Sequence, residues 1–429
     1  LDNSEIYVSL DIGTSNVRVI IGEMSNGAMN IIGMGKVASE GIKKSSIVDI
    51  DETVKSIRRA IEQAEHMVGL TINHVIVGVN GNHIQLQPCH GVVAVSSPDR
   101  EISDEDITRV IDAAQVVSIP PEREVIDVIP KQFIVDGLDE INDPRGMIGV
   151  RLEMEGTIIT GSKTALHNLY RCVERAGLQV AGFCLQSLAS GSVAISKDEK
   201  NLGVCLIDMG GGSITVSIFD QGILQDTAVV PIGGDHITND IAVGLRTSTE
   251  EAERIKVKYG HSYIDDAEVE ERFTVSTIGQ ADSVEYTQED LAHIIEPRVE
   301  EMFELAYREI HRMGYRDFPG GFVLTGGTVM IPGVLELASE LLPGSVRMAM
   351  PDYLGVREPQ YTTGVGLIQF AYKNVKLQGK EIASAVSSNT HTNYEQPVKK
   401  QVKHEVKREE NNKPKSKGKV KNLFKVFFE

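Results

Sequence analysis

The chain has 429 residues, 41% apolar and 24% charged, with no Trp and 5% aromatics. Its length exceeds one ordinary domain and its composition can fill more than one core, so two sizeable lobes are expected. The shortage of aromatic rings argues against a base-stacking nucleic-acid platform. The net charge of −18 hides an asymmetry. Residues 378–429 hold 12 Lys and Arg against 6 Asp and Glu, while the preceding residues hold 31 against 55. An acidic body of this kind is no nucleic-acid binder, and the basic tail wants an anionic partner of its own. No stretch approaches 18 apolar residues, and Asp2 and Glu5 stand where a signal peptide would be basic. Neither a transmembrane span nor a secretory signal is expected. Cys89, Cys172, Cys184 and Cys205 include no CxxC pair, which supports neither zinc nor disulfides and suits a reducing cytosol.

In chain order, Ile6–Leu10 is a short β-forming run, Asp11-Ile-Gly-Thr-Ser-Asn16 a turn, and Val17, Val19 and Ile21 an alternating second strand. Asn30–Lys36 is a third strand, Asp51–Met67 an amphipathic helix, and His74–Val79 a buried strand. From about residue 83 to 162 the character changes. Ser103 is placed to cap a helix that Pro120-Pro121 closes, and strand-like pieces follow at Val125–Val135 and Val150–Glu155. Helix Thr164–Ala176, strand Val180–Leu185 and helix Gln186–Ile195 restore the earlier style, so residues 83–162 read as an insertion. The opening pattern then recurs. Leu202–Ile207 is a strand, Asp208-Met-Gly-Gly-Gly-Ser213 a turn, and Ile214, Val216 and Ile218 alternate. A shift of 197 positions lays Asp11 on Asp208 and Gly13 on Gly210, which is read as an internal duplication. Residues 231–305 look helical and charged, with the longest helix over Gln288–Met313. Phe322–Gly333 runs from a strand through a glycine turn towards a helix, and a last helix follows Tyr361-Thr-Thr-Gly-Val-Gly366 and fades near Lys376.

Two hairpins with Asp at the bend need a reason. Glycines let backbone approach closely, and bend N–H groups suit phosphate oxygens. Thr14, Ser15 and Ser213 add hydroxyl donors. A bare anion pocket would avoid carboxylates, so Asp11 and Asp208 make sense if a cation sits between them and the phosphate; Mg²⁺ fits, held partly through water. Asp208 is also placed to orient or deprotonate an attacking water. The plainer reading, that Asp-Gly pairs only mark hairpins, weakens because two such bends are joined by a third glycine turn at Gly326-Gly327.

These motifs (Asp11-x-Gly-Thr-Ser, Asp208-x-Gly-Gly-Gly-Ser and Leu324-Thr-Gly-Gly-x-x-x-Ile-Pro-Gly333) resemble the two phosphate motifs and the adenosine motif of the actin/Hsp70/sugar-kinase superfamily. Within it, Pro231-Ile-Gly-Gly-Asp-His-Ile-Thr-Asn-Asp240 and Ile294-Ile-Glu-Pro-Arg-Val-Glu-Glu301 are similar to the FtsA family of bacterial cell-division proteins. The resemblance covers roughly residues 5–376 and the extreme C-terminus. It implies an α/β fold of duplicated actin-like (ribonuclease H-like) ATPase lobes, with a small α+β subdomain inserted in lobe one. Lobe one would comprise residues 1–82 and 163–190, with 83–162 inserted. Lobe two would comprise 191–230 and 306–377, with 231–305 its small subdomain. ATP and Mg²⁺ would lie between the lobes. Gly13, Gly210, Gly211, Gly212, Gly233 and Gly234 would stand beside phosphates or ribose, and Gly326, Gly327, Thr328 and Met330 beside the nucleoside. Glu253 and Lys256 would contact ribose and adenine, although an i,i+3 surface ion pair explains them equally well. Gln186 occupies a position where many relatives carry Glu, so hydrolysis, if any, is slow. Met330 replaces the Arg that stacks on adenine in Hsp70, leaving apolar packing. Arg298 lies in the subdomain that would receive the C-terminal peptide of FtsZ; an internal ion pair with Glu301 or Glu304 is the competing reading.

Residues 378–416 are polar and read as a disordered linker. In residues 417–429, Val420, Leu423, Phe424 and Phe427 recur at i, i+3, i+4 and i+7, Phe428 flanks them, and Lys421 and Lys425 lie opposite. A helix so short needs something to bury its stripe. The linker, about 40 residues with an r.m.s. span of roughly 35 Å, does not oblige it to dock on the body. A basic, Phe-rich segment suits an interfacial helix on an anionic membrane, as the family resemblance also implies. The implied protein sits peripherally on the cytoplasmic face of the membrane at the division septum, polymerises, tethers FtsZ and recruits later division proteins. A small-molecule kinase, an Hsp70-like chaperone and a pilus-type adaptor are the alternatives on this fold.

Overall fold

The computed structural model describes residues 5–116, 119–279 and 283–378. Strands β1 (Glu5–Ile12), β2 (Asn16–Ser25) and β3 (Ala28–Ala38) form an antiparallel meander. A small hairpin of β4 (Ile42–Lys43) and β5 (Ser46–Ile47) follows, then α1 (Ile50–Val68) and β6 (His74–Val79). Next come β7 (Gln85–Ala94), α2 (Asp104–Ala114), β8 (Arg123–Val135), β9 (Leu138–Ile141) and β10 (Arg151–Ser162), whose strands make a separate sheet in the order β7-β10-β8-β9. Helix α3 (Lys163–Arg175) and β11 (Gln179–Leu185) complete the first sheet, ordered β11-β6-β1-β2-β3.

The second lobe repeats this plan. Helices α4 (Gln186–Ala194) and α5 (Lys197–Leu202) precede the meander β12 (Val204–Met209), β13 (Ile214–Asp220) and β14 (Ile223–Val230). Helices α6 (Gly234–Gly244) and α7 (Thr249–Tyr259), strands β15 (Arg272–Ser276) and β16 (Ser283–Thr287) and helix α8 (Gln288–Arg312) follow. Then come β17 (Phe322–Thr325), α9 (Val334–Leu341), β18 (Val346–Met348) and α10 (Thr362–Gln378). The sheet order is β14-β13-β12-β17-β18, with β12, β17 and β18 parallel as β1, β6 and β11 are in lobe one.

Both faces of the first sheet are covered, which is why its strands read as apolar runs. Val8, Leu10, Val19 and Ile21 face α1 and its stripe Val54, Ile57, Ala60, Ile61 and Ala64. Alternate residues Tyr7, Ile20 and Met24 face Val365, Leu367 and Ile368 of α10. Asp49 caps α1 by accepting from Glu52 N, and Gly69 ends it in the left-handed region at φ 70°.

Several expectations are corrected. The helix from Ser103 ends at Ala114, well before Pro120-Pro121, because its apolar stripe stops there and Val116 is exposed. Strand β7 was not foreseen; Pro88 argues against a strand, but β7 is a sheet edge, where a missing N–H is tolerated. Leu202 belongs to α5, so the strand begins at Val204. Residues 231–305 are not wholly helical, since β15 and β16 pair within them. A boundary at 305/306 would cut α8, and one at 190/191 would cut α4. Helix α10, assigned to lobe two, packs on the sheet of lobe one instead, because its apolar residues match that sheet's uncovered face. Residues 379–429, with the expected linker and the membrane candidates Val420, Lys421, Leu423, Phe424, Lys425, Phe427 and Phe428, lie outside the described residues.

Candidate functional site

The two hairpins superpose in register. Asp11 pairs with Arg18 and Ile12 with Val17; 197 positions later, Asp208 pairs with Thr215 and Met209 with Ile214. Each bend is closed in the same way, by Gly13 N donating to Asn16 O and Gly210 N donating to Ser213 O, both at 3.0 Å. Asp11 and Asp208 therefore sit at strand ends rather than within the turns, a small correction that fixes both carboxylates on rigid backbone.

The bends meet across a cleft of about 600 Å³. Asp11, Gly13, Thr14, Ser15, Gln186, Asp208, Gly210, Gly211, Gly212, Ser213, Gly234, Glu253, Lys256, Gly326, Gly327, Thr328 and Met330 all line it. Gly233 lies behind the second bend, where a Cβ would fall 2.5 Å from Gly210 O. The approach is close enough to demand glycine: a Cβ on Gly211 would fall 1.7 Å from Ser15 Oγ, and one on Gly212 2.5 Å from Thr14 Oγ1. Gly326, at φ 96°, would bring a Cβ within 2.4 Å of Asp208 Oδ1.

Asp11 is buried and Asp208 half-buried, and both are sparsely compensated. Gln186 Nε2 donates to Asp11 Oδ1 at 2.8 Å, and Arg18 stands 3.6 Å from Asp11 Oδ2. Burial raises the Asp11 pKa against the opposing pull of Arg18. Thr363 Oγ1 donates to Asp208 Oδ2 at 3.2 Å. Burial, and then the charge of Asp11, push Asp208 up to about 6. Two acids with raised pKa facing one cleft are the environment a divalent cation would relieve. Among the described residues no group of three or more His, Cys, Asp or Glu stands together as a metal site, so two carboxylates would need oxygens from water and ligand. The residues present fit Mg²⁺ bound with a phosphate.

At the other end of the cleft, Lys256 is buried and its ammonium donates to Gly234 O (3.1 Å), Thr238 Oγ1 (2.8 Å) and Glu253 Oε2 (2.6 Å). The ion pair anticipated between Glu253 and Lys256 is thus formed, and it lies on the cleft wall. Arg298 is away from the cleft. It pairs with Asp240 of α6 and with Glu301 one turn on, so the internal ion pair is present, with Asp240 as a partner not foreseen.

Sequence reasoning missed several lining residues: Arg18, Lys36, Gln360, Thr363, Asp235, Asn80 and Thr215. Arg18 was within reach, because the hairpin register places it opposite Asp11. Lys36 Nζ donates to Gln360 Oε1 at 2.7 Å, and burial, with Arg18 next, lowers its pKa. Asn80 Nδ2 donates to Thr215 Oγ1 at 2.7 Å and Ser15 Oγ to Asp235 Oδ1 at 2.9 Å, both between lobes. No local pattern marks these.

The fold is that of the actin-like proteins: the chain is similar to the PilM–PilN type IV pilus biogenesis complex (14% identity, 84% of this chain and 97% of that one, TM-score 0.57) and to MreB5 of Spiroplasma citri bound to ADP (12%, 87% and 97%, TM-score 0.52). Duplicated lobes with an inserted subdomain define that class. The model of "SHS2 domain inserted in FTSA" matches residues 81–160, and that of "Cell division protein FtsA" matches residues 205–366. Curated proteins of the latter name are 61% identical over 382 residues in Bacillus subtilis (89% of this chain, 87% of the relative) and 41% over 397 residues in Enterococcus hirae (92% and 90%). The chain belongs to the FtsA family of cell-division proteins.

Proposed function

We propose that the interlobe cleft binds ATP with Mg²⁺ and that this occupancy sets lobe closure and self-association of an actin-like division protein. The carrying observation is the pair of superposable bends, so close that Gly211 and Gly212 leave no room for a Cβ beside Ser15 and Thr14, with Asp11 and Asp208 facing one space. The bend N–H groups and the Thr14, Ser15 and Ser213 hydroxyls would receive phosphate oxygens. Asp11 and Asp208 would hold Mg²⁺ through water. Gly234, Glu253, Lys256, Gly326, Gly327, Thr328 and Met330 would line the nucleoside end. When bound, the cation supplies neutralisation of phosphate charge and polarisation of the terminal phosphoryl group. Gln186 holds Asp11 and orients a water but cannot take its proton; Asp208 is the nearby carboxylate with a raised pKa. Slow turnover follows from that division of roles.

Membership of the family supports the wider reading. The protein would bind the FtsZ C-terminal peptide through the small subdomain bearing Arg298, attach to anionic lipid at the cytoplasmic face of the septum through residues 417–429, and recruit later division proteins. No observation favours a small-molecule kinase or a pilus-type adaptor. Calorimetric titration tests the cleft: Asp208→Ala should weaken ATP·Mg²⁺ binding at least tenfold, the scale of one charge-assisted contact. Unchanged affinity would remove the phosphate assignment.

A further inference from the structure

The β4–β5 hairpin is unused by the reading above. Its base is pinned, because Gly41 O accepts from Val48 N at 2.9 Å and from Asp49 N at 3.0 Å, and Ile42 is buried. Its tip is strained. Lys44 and Ser45 occupy the two central turn positions with φ of 48° and 60°. Such turns favour Asn and Gly, because a Cβ opposes positive φ. What the Lys-Ser turn provides is a hydroxyl between the two bends. Ser45 N donates to Thr14 Oγ1 at 3.2 Å, and Ser45 Oγ lies 2.8 Å from Ser213 Oγ. Ile42, Ser45, Ser46 and Ile47 line the cleft. One small hairpin of lobe one thus touches both bends at once.

We propose that Ser45 is a further ligand-positioning residue, whose hydroxyl exchanges Ser213 for the terminal phosphate of a bound triphosphate. The inference rests on the ATP reading of the cleft. Thr14 Oγ1 only accepts, from Ser45 N, so its proton is free for a phosphate; the shared proton of the Ser45–Ser213 pair and the Ser15 proton given to Asp235 are what an entering phosphate must compete for. A hydroxyl pair is a neutral hydrogen bond, whereas a hydroxyl on a phosphate oxygen is charge-assisted and stronger. Exchange is therefore favoured when a terminal phosphate is present and reversed when it is absent. The strained tip has two alternative partners and so reports which nucleotide is bound.

The test is oxidative cross-linking of a full-length Ser45→Cys/Ser213→Cys variant. The hydroxyl separation puts the two thiols within reach of each other, and the four native cysteines are buried. Disulfide formation should be fast without nucleotide and with ADP·Mg²⁺, and several-fold slower with saturating ATP·Mg²⁺. Independently, Ser45→Ala should weaken ATP binding about tenfold while leaving ADP binding unchanged. Cross-linking insensitive to ATP in a variant that binds it, or equal loss of ATP and ADP affinity in Ser45→Ala, would overturn the proposal. Failure of the unaltered chain to bind ATP would instead overturn the reading of the cleft, and this inference with it.

Discussion

Asp208 carries its proton to an unusually high pH for a carboxyl, about 6 against an ordinary 3.8, through burial first and Asp11 second. In that window Asp208 binds more protons in the folded chain without nucleotide than in the unfolded chain, so its own contribution to stability falls as pH rises from roughly 4 to 6 and is then flat. A shift of this size corresponds to roughly 3 kcal/mol. Asp208→Asn should therefore raise the nucleotide-free Tm at pH 7.5 and change it little at pH 4.5; equal differences at both pH values would show that another group titrates. Gln186→Glu makes the opposite change, facing a second carboxylate towards Asp11 across a 2.8 Å contact. We expect a lower nucleotide-free Tm at neutral pH and, in phosphate-release assays, turnover faster by about 10²-fold, the usual contribution of a general base. At this scale the sequence marked the acids and glycines, since Asp-x-Gly recurs at one offset. It did not mark Asn80, Asp235 or Gln360, whose role comes only from elements brought together by folding.

The hairpins act as a pair, and their closeness is the property most exposed to mutation. Gly212→Ala would set a Cβ 2.5 Å from Thr14 Oγ1 and 2.7 Å from Thr14 Cβ, which rotation of the side chain cannot relieve. Overpacking of this kind costs about 1–3 kcal/mol. Thermal unfolding should show the loss, and adding Thr14→Gly should restore part of it, as expected of residues in contact. Strands such as β1, β2 and β13 were legible as short runs rich in apolar β-formers, because each face meets an apolar layer. Strand β7 was not, because Pro88 and Gly91 interrupt its pattern, and the β15–β16 hairpin was hidden in a stretch dominated by charged helical residues.

Across the whole molecule, duplication was readable from a short repeat, and the matching sheet orders extend it to both lobes. The course of the chain between lobes was not readable, because no local pattern says which sheet an apolar helix will cover. For the tail, the expectation is that the full chain floats with anionic vesicles, that a chain ending at Lys415 does not, and that Phe424→Asp behaves like the truncation. Equal flotation of all three would end the membrane role given to residues 417–429.

Helix α10 returns to lobe one and lies against α4 so tightly that a Cβ on Gly366 would fall 2.0 Å from Ala189 O. The last described residue, Gln378, therefore belongs to a helix carried by one half of the body. Any pull exerted there reaches the first sheet directly, and reaches the second lobe through two chain crossings and the hydrogen bonds Ser15–Asp235 and Asn80–Thr215.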